Sequence, residues 1–392
     1  MKKYWFNLNP DTFVWKNRSN ILLYNSATKI SIEFNYSPEL HSIIEKLSSL
    51  SNLYCIQIDQ TELSVSNVKE FIDRIIKSNS GTLSEITNNQ QRPIQFPPLL
   101  NLQCDRDKLK QDTSRSIGEK VITYLNHVDI YFNHQNNINL KKHIENLSKF
   151  LKPIPPNQHI CFNIILNSAS SFNGINTLIN NLKDHNSSII LQIDSSLLKN
   201  ISDKFNIPDD LRIKIIHNAS RNEEVMYKAL KNTKHIESKI SWQFNIHSES
   251  EYYNCVSFIE KEQLDNTEIV PEYNGVNLAF FEENIFLNKE DLANPNLDKR
   301  EVFAHQAMNT NNFGKIIIQS DGNIYSNKHI PPLGNLQNSL KEILTKEMYA
   351  GTSWFKIRDM EPCNNCIYQW LCPSPSDYEI EIGKPNLCHV RV

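Results

Sequence analysis

Cys363-Asn-Asn-Cys366-Ile-Tyr-Gln-Trp-Leu-Cys372, answered by Cys388 in Asn-Leu-Cys-His-Val, spaces four cysteines as C-x2-C-x5-C-x15-C. Half of the chain's eight cysteines fall in this stretch. A two-residue gap lets a tight turn aim two sulfurs at one centre, and the later cysteines can close the shell. Four thiolates gathered in this way hold a tetrahedral metal or an iron–sulfur cluster. The competing reading is a pair of disulfides or a set of buried free thiols. Cys55, Cys104, Cys161 and Cys255 are scattered and read as ordinary core residues.

Upstream of the cysteines, Phe313-Gly-Lys-Ile-Ile-Ile318 and Gly322-Asn-Ile-Tyr-Ser326 read as a hairpin turning at Asp321-Gly322. Leu333-Gly-Asn-Leu336 follows, and then a helix over Ser339–Met348. From about 117 to 310, apolar runs alternate with helical patterns. The runs are Val128–Phe132, Ile160–Leu166, Ser188–Ile193, Ile213–Ile216, Ile240–Ile246 and Glu268–Tyr273. Near-continuous apolar strands separated by helices predict a parallel sheet, and six such units could make a partial βα barrel.

The first 115 residues have another character. Tyr4–Leu8, Phe13–Lys16, Ile21–Asn25 and Thr28–Phe34 predict short strands, the last with period-two alternation. Ser37-Pro38 then starts a helix with Leu40, Ile43, Ile44 and Leu47 on one face. Leu53–Ile58 predicts a strand, and Ser64–Ile76 a second amphipathic helix. This order of elements resembles a winged-helix leader-peptide-binding domain. The resemblance implies strand addition, with Ile30, Ile32 and Phe34 on the receiving strand and Val68, Phe71 and Ile72 as its apolar wall. A small α/β cap with no ligand is the alternative. Polar and proline breakers at 88–98 mark a linker.

Composition narrows the classes. A net charge of −3 and a pI near 6.5 are not those of a nucleic-acid binder. No run approaches the ~18 apolar residues of a membrane span, and Met1–Pro10 lacks a signal peptide's apolar core. The expectation is a soluble cytoplasmic protein, binding neither nucleic acid nor membrane, whose clustered cysteines hold a metal.

The partial barrel, the Gly-Asn-Ile-Tyr hairpin, Leu-Gly-Asn-Leu and C-x2-C-x5-C with its distal cysteine together resemble the radical SAM enzymes with a SPASM domain, which mature peptides. The ending around Leu371-Cys-Pro-Ser-Pro-Ser376 and the opening Lys2-Lys-Tyr-Trp-Phe6 resemble the pseudo-radical-SAM proteins of that group. The resemblance spans essentially the whole chain. It implies an α/β fold: a partial βα (TIM-like) barrel at 116–310, an N-terminal winged-helix-like α+β domain at 1–115, and a SPASM-like cysteine domain at 311–392.

The family's radical chemistry uses C-x3-C-x2-C after the first barrel strand to hold a [4Fe–4S] cluster that cleaves S-adenosylmethionine. Here that loop reads Asn133-His-Gln-Asn-Asn-Ile-Asn-Leu-Lys-Lys-His143 and contains no cysteine. His134 and His143 are a poor replacement for three thiolates. The family's Gly-Gly-Glu is replaced by Asn167–Gly174. SPASM domains usually hold two further clusters. Cys363, Cys366, Cys372 and Cys388 match one set. Two cysteines of the other correspond to Ser376 and Asn327. The resemblance thus implies a pseudoenzyme without S-adenosylmethionine chemistry, carrying one [4Fe–4S] cluster, with zinc as the alternative occupant. Its partners would be an active radical SAM maturase and a ribosomally made precursor peptide. An electron-transfer protein or other enzyme using the single cluster, and a zinc-stabilised peptide-binding module, are the other readings.

Other candidates read as structural. Asp194 and Glu272 fit caps or ion pairs, and His217 and His247 fit loop or core histidines. His389 fits a supporting role beside Cys388. Phe280-Phe281 and Trp354-Phe355 fit a core.

Overall fold

The computed structural model describes residues 2–87, 91–98, 120–132, 140–166, 174–183, 187–200, 211–221, 223–233, 239–293 and 295–390. Cys104, His134, residues 88–90 of the linker and most of the 133–143 and 167–174 loops lie outside these residues.

The N-terminal unit is built from β1 (Lys3–Leu8), β2 (Thr12–Lys16), β3 (Asn20–Asn25), β4 (Ile30–Asn35), α1 (Pro38–Ser48), β5 (Cys55–Asp59), α2 (Gln60–Leu63), α3 (Ser66–Lys77) and β6 (Gly81–Glu85). β1 is the centre of one antiparallel sheet, between β5 and β6, and β2-β3-β4 form a second. The local signals work as expected. Ser37 accepts a hydrogen bond from the Leu40 amide, Pro38 opens the helix, and α1 buries Leu40, Ile43, Ile44 and Leu47. Those residues pack with Ile32, Phe34, Val68, Phe71 and Ile72 into one apolar core.

The second region alternates β7 (His127–Tyr131), α4 (Leu140–Leu151), β8 (Ile160–Leu166), α5 (Ile175–Leu182), β9 (Ser187–Asp194), β10 (Arg212–Asn218), α6 (Glu223–Thr233), β11 (Ile240–Ile246), α7 (Glu249–Glu262) and β12 (Thr267–Pro271). β7 to β12 lie side by side, in sequence order and parallel. Short helices α8 (Leu278–Asn284), α9 (Lys289–Ala293) and α10 (Lys299–Ala307) lead on to β13 (Lys315–Ile318), β14 (Asn323–Tyr325), β15 (Gly334–Asn335), α11 (Leu340–Ala350) and α12 (Asp377–Ile382). No helix among the described residues is long and apolar enough to cross a membrane.

Two sequence expectations need correction. The hairpin assigned to a separate C-terminal domain extends the parallel sheet instead. β13 pairs in parallel with β7, Lys315 opposite His127, and the nine-stranded order is β12-β11-β10-β9-β8-β7-β13-β14-β15. The boundary at 310 therefore cuts through one sheet.

The strands are also not apolar on both faces. One face carries Val128, Ile130, Phe162, Ile164, Leu191, Ile193, Ile213, Ile215, Trp242 and Phe244, all buried in the core. The opposite face carries His127, Asp129, Asn163, Gln192, Lys214, Gln243 and Asn245, as the period-two geometry of a strand requires. The apolar members of these runs sit on alternate positions, and the polar residues between them are not interruptions but a second surface.

Candidate metal centre

Two small turns and one bridge bring the cysteines together. The Cys366 amide donates to the Cys363 carbonyl at 3.0 Å, closing a turn at the C-x2-C step. The Cys372 amide donates to the Tyr368 carbonyl at 2.9 Å and brings the third sulfur back. Cys388 arrives on an isolated bridge to Leu287, fixed by Leu287 N–H to Leu387 O at 3.0 Å and His389 N–H to Leu287 O at 2.9 Å. The intervening Ile367, Tyr368 and Leu371 are buried against Phe13, Leu22 and Tyr24, so the N-terminal sheet is the floor on which the cysteine turn is built.

All four cysteines line one small cavity of about 20 Å³, together with Leu292, Arg358 and Tyr368. None is in a disulfide. The donor chemistry is that of a thiolate metal site: four thiols on one cavity, each of the first three within electrostatic reach of Cys388. Among the described residues, however, no group of three or more His, Cys, Asp or Glu side chains is arranged to hold a single metal ion. Burial pushes the Cys366 thiol up to about 11 and the Cys372 thiol up to about 12, and raises Cys363 as well. Neutral Cys363, Cys366 and Cys372 thiols are therefore favoured, and a metal would have to displace their protons. The Val390 amide already donates to the Cys388 sulfur at 3.2 Å, a contact of the kind that tunes thiolate-held metals.

The wall behind the cavity was not foreseen. Arg358 is 7 % exposed and lies beside Cys363 and Cys372. Its Nη2 donates to Glu379 Oε1 at 2.7 Å, and its Nε to the Pro373 carbonyl. Burial works against the Arg358 charge, but the neighbouring Cys372 and Glu379 outweigh it and raise its affinity for the proton. Glu379 in turn accepts from the amide and hydroxyl of Ser376 in a capping box that starts α12. Asn327, 1 % exposed, donates to Asp377 on the first turn of the same helix. Ser376 and Asn327, the two positions at which a second cluster would need cysteines, are thus brought to one helix start and committed to hydrogen bonds there. The only advance signal for the Arg358–Glu379 pair was two charges flanking a cysteine motif, which does not separate a buried pair from a solvated one.

The centre is wired to the N-terminal unit. Tyr368 Oη donates to Glu33 Oε2 at 2.7 Å, and Lys289 pairs with the same carboxylate at 2.7 Å. Glu33 lies on β4, which pairs with β3 alone among the described residues. β4 therefore has the free edge that strand addition requires. Ile30 is 42 % exposed, whereas Ile32 and Phe34 are buried. Val68, Phe71 and Ile72 do not form an open wall. They are 2 %, 0 % and 1 % exposed, with the Phe71 ring 4.7 Å from that of Phe34. The apolar face of α3 is used up by the domain core, and what is left for a peptide is the backbone edge of β4 with Ile30 beside it.

Asp194, Glu272, His217 and His247 take the structural roles expected, whereas the His389 ring, expected beside Cys388, bonds elsewhere. Asp194 caps Ser196 and pairs with Arg221. His217 is buried on Ser195 at 2.9 Å, and burial pushes it down to about 4, so it is neutral. His247 and Glu272 approach to 3.5 Å, with Glu251 on the other side of the ring. The His389 ring is engaged by the Glu282 carbonyl at 2.7 Å and by Phe286. His143 lies on α4 against Phe132. Phe281 and Trp354 are fully buried.

No protein-family model matches the chain, and no curated protein matches it. Among solved structures, native anSMEcpe with bound AdoMet and Cp18Cys peptide aligns at 13 % identity and a TM-score of 0.40, over 63 % of this chain and 88 % of that one. A likeness of that size carries no functional argument.

Proposed function

We propose that the chain is a non-catalytic accessory to a radical SAM peptide maturase, helping to bind or present a ribosomally made precursor peptide, with one four-cysteine centre as its staple. The observation that carries the reading is the gathering of Cys363, Cys366, Cys372 and Cys388 on one cavity directly behind β4. The thiolate set and Tyr368 belong to the C-terminal motif, and Glu33, to which Tyr368 bonds, belongs to the edge strand offered to a peptide. A metal that folds the cysteine turn would also hold Tyr368 against Glu33, and so brace the face of β4 that looks away from its own core. The sequence of the 133–143 loop, without a thiolate, supports a scaffold rather than a radical catalyst.

A [4Fe–4S] cluster is the occupant implied by the resemblance of the cysteine motif, with zinc as the alternative, because sets of four cysteines hold either.

The test of function is reconstitution. A maturase and its precursor are incubated with and without this chain, and modified peptide is followed by mass spectrometry. Association with the maturase or precursor and a faster or fuller conversion are expected. Full conversion at unchanged rate and yield without the chain contradicts the role.

A further inference from the structure

A second group of reactive side chains lies on the polar face of the nine-stranded sheet, at the start of β7, β8 and β13. His127 and Cys161 are opposite each other in the parallel register, and Lys315 is opposite His127 on the other side. His127 Nε2 lies 2.8 Å from Asp129 Oδ1. Lys315 Nζ reaches Asp129 Oδ2 at 2.9 Å, and Asn163 Nδ2 donates to Oδ1 at 3.0 Å. Asp129 is almost fully buried, whereas the His127 side chain is 28 % exposed and Cys161 is half-buried. The carboxylate is thus held from three sides and orients a ring that faces solvent. This is not the surrounding of an ordinary core thiol, as the sequence suggested for Cys161.

We propose that Cys161, backed by His127 and Asp129, is a nucleophilic thiol that exchanges with low-molecular-weight disulfides to form a mixed disulfide on the polar sheet face. The hydrogen bond that the His127 ring donates to Asp129 raises His127 to about 9, so the ring is an imidazolium at neutral pH. That imidazolium is the main influence lowering the Cys161 thiol, assisted by Ser188 on β9 and opposed by burial. Asn163 also touches both members of the pair, its Oδ1 3.9 Å from the Cys161 sulfur and its Nδ2 2.8 Å from His127 Nε2, while the Asp129 charge, paired with Lys315, opposes the thiolate. Tyr131 and Asp377 act on Lys315 from further off.

In the step, the Cys161 thiolate attacks one sulfur of R–S–S–R. The new S–S bond forms as the old one breaks, RS⁻ leaves with the electron pair, and His127 or water protonates it. Cys161 is oxidised and the small disulfide is reduced. Acyl transfer is disfavoured, because the nearest amide donor, Asn163, is committed to Asp129 and provides no free oxyanion contact. The residues opposite Cys161 in the register are His127 and Ser188, so no resolving thiol adjoins it there. The mixed disulfide should therefore persist until an external thiol removes it.

The test is thiol mapping on the whole, anaerobically purified chain. Oxidised glutathione and, separately, iodoacetamide are added across pH 5–10, and each cysteine-containing peptide is followed by mass spectrometry. Cys55 and Cys255, buried and raised by burial, are internal references. Cys161 should acquire glutathione at neutral pH about tenfold faster than either, and its half-maximal reactivity should fall at lower pH than theirs. The pH midpoint separates activation from mere exposure. His127→Gln, which keeps a polar partner for Asp129, should shift the Cys161 midpoint upward and slow its reaction at pH 7 about tenfold. A wild-type midpoint no lower than that of Cys255, or one unmoved by His127→Gln in a variant with unchanged circular dichroism, overturns the proposal.

Discussion

Arg358 and Glu379 are the pair on which the wall of the cysteine cavity rests, with side chains 6 % and 4 % exposed. Replacing Arg358 by Met leaves the Glu379 carboxylate buried without its charge partner. Breaking a buried pair from one side costs about 3–5 kcal/mol, whereas replacing both partners by apolar groups is often near neutral. Arg358→Met should lower the unfolding free energy measured in urea by that amount, and Arg358→Met with Glu379→Leu should recover most of it. Equal losses in the single and double variants would show that the pair is not coupled.

His127 makes a second prediction at this scale. Its affinity for the proton is raised in the folded chain, so the contribution of the Asp129 bond to stability is fully present below about pH 6.5 and is lost as pH rises through about 9. With the ring partly exposed, solvent screening reduces that contribution to about 1–2 kcal/mol. Urea unfolding at pH 6 and pH 10 should show the wild type losing about that much more stability than His127→Gln. Parallel losses in the two proteins would contradict the assignment.

At the scale of elements, α3 and β4 separate packing from recognition. Phe71 is fully buried against Phe6 and Phe34, so Phe71→Ala should cost about 3–5 kcal/mol in urea unfolding. Ile30→Asp acts on an exposed side chain and should change stability by no more than about 0.5 kcal/mol. It should nevertheless weaken precursor binding in a titration if β4 is the receiving edge. Unchanged affinity in Ile30→Asp would remove β4 from the peptide site.

The elements were also what the sequence disclosed best. The Ser37-Pro38 start of α1, its four buried residues and the short strands of the N-terminal unit follow from local rules that need no partner. Local rules do not disclose register. Nothing within Phe313–Ile318 says that it lies beside Val128–Tyr131, because a parallel pairing between distant segments is decided by the collapse of the whole sheet. The same limit hid the site at Cys161: its strand reads as apolar, and only the register puts His127 beside it. The four-cysteine motif was legible because its ligands are mostly close in sequence. Arg358 and Glu379 were not, since their burial depends on how α12 packs.

Across the whole molecule, the cysteine turn is where the N-terminal sheet, the segment before β13 and the chain beyond α12 meet. Tyr24 Oη reaches the Pro295 carbonyl at 3.1 Å, Lys299 pairs with Asp11 at 3.0 Å, and Leu287 bridges to Cys388. A metal held at such a junction would couple its own binding to order far from the sulfurs. Removing the metal by chelation should speed amide exchange in Ser31–Glu33 on β4, by way of Tyr368 and Glu33, while the Ile160–Leu166 strand stays protected. Exchange that accelerates equally in both strands would mean global unfolding instead.

The most direct measurement is the metal content of the chain purified without oxygen. The account predicts about four iron and four sulfide per chain, lost together in Cys363→Ser and in Cys388→Ser, with neither change in Cys255→Ser. One zinc without iron would replace the cluster by a structural ion. Metal-free protein in which Cys363, Cys366, Cys372 and Cys388 all remain open to thiol reagents would contradict the centre itself.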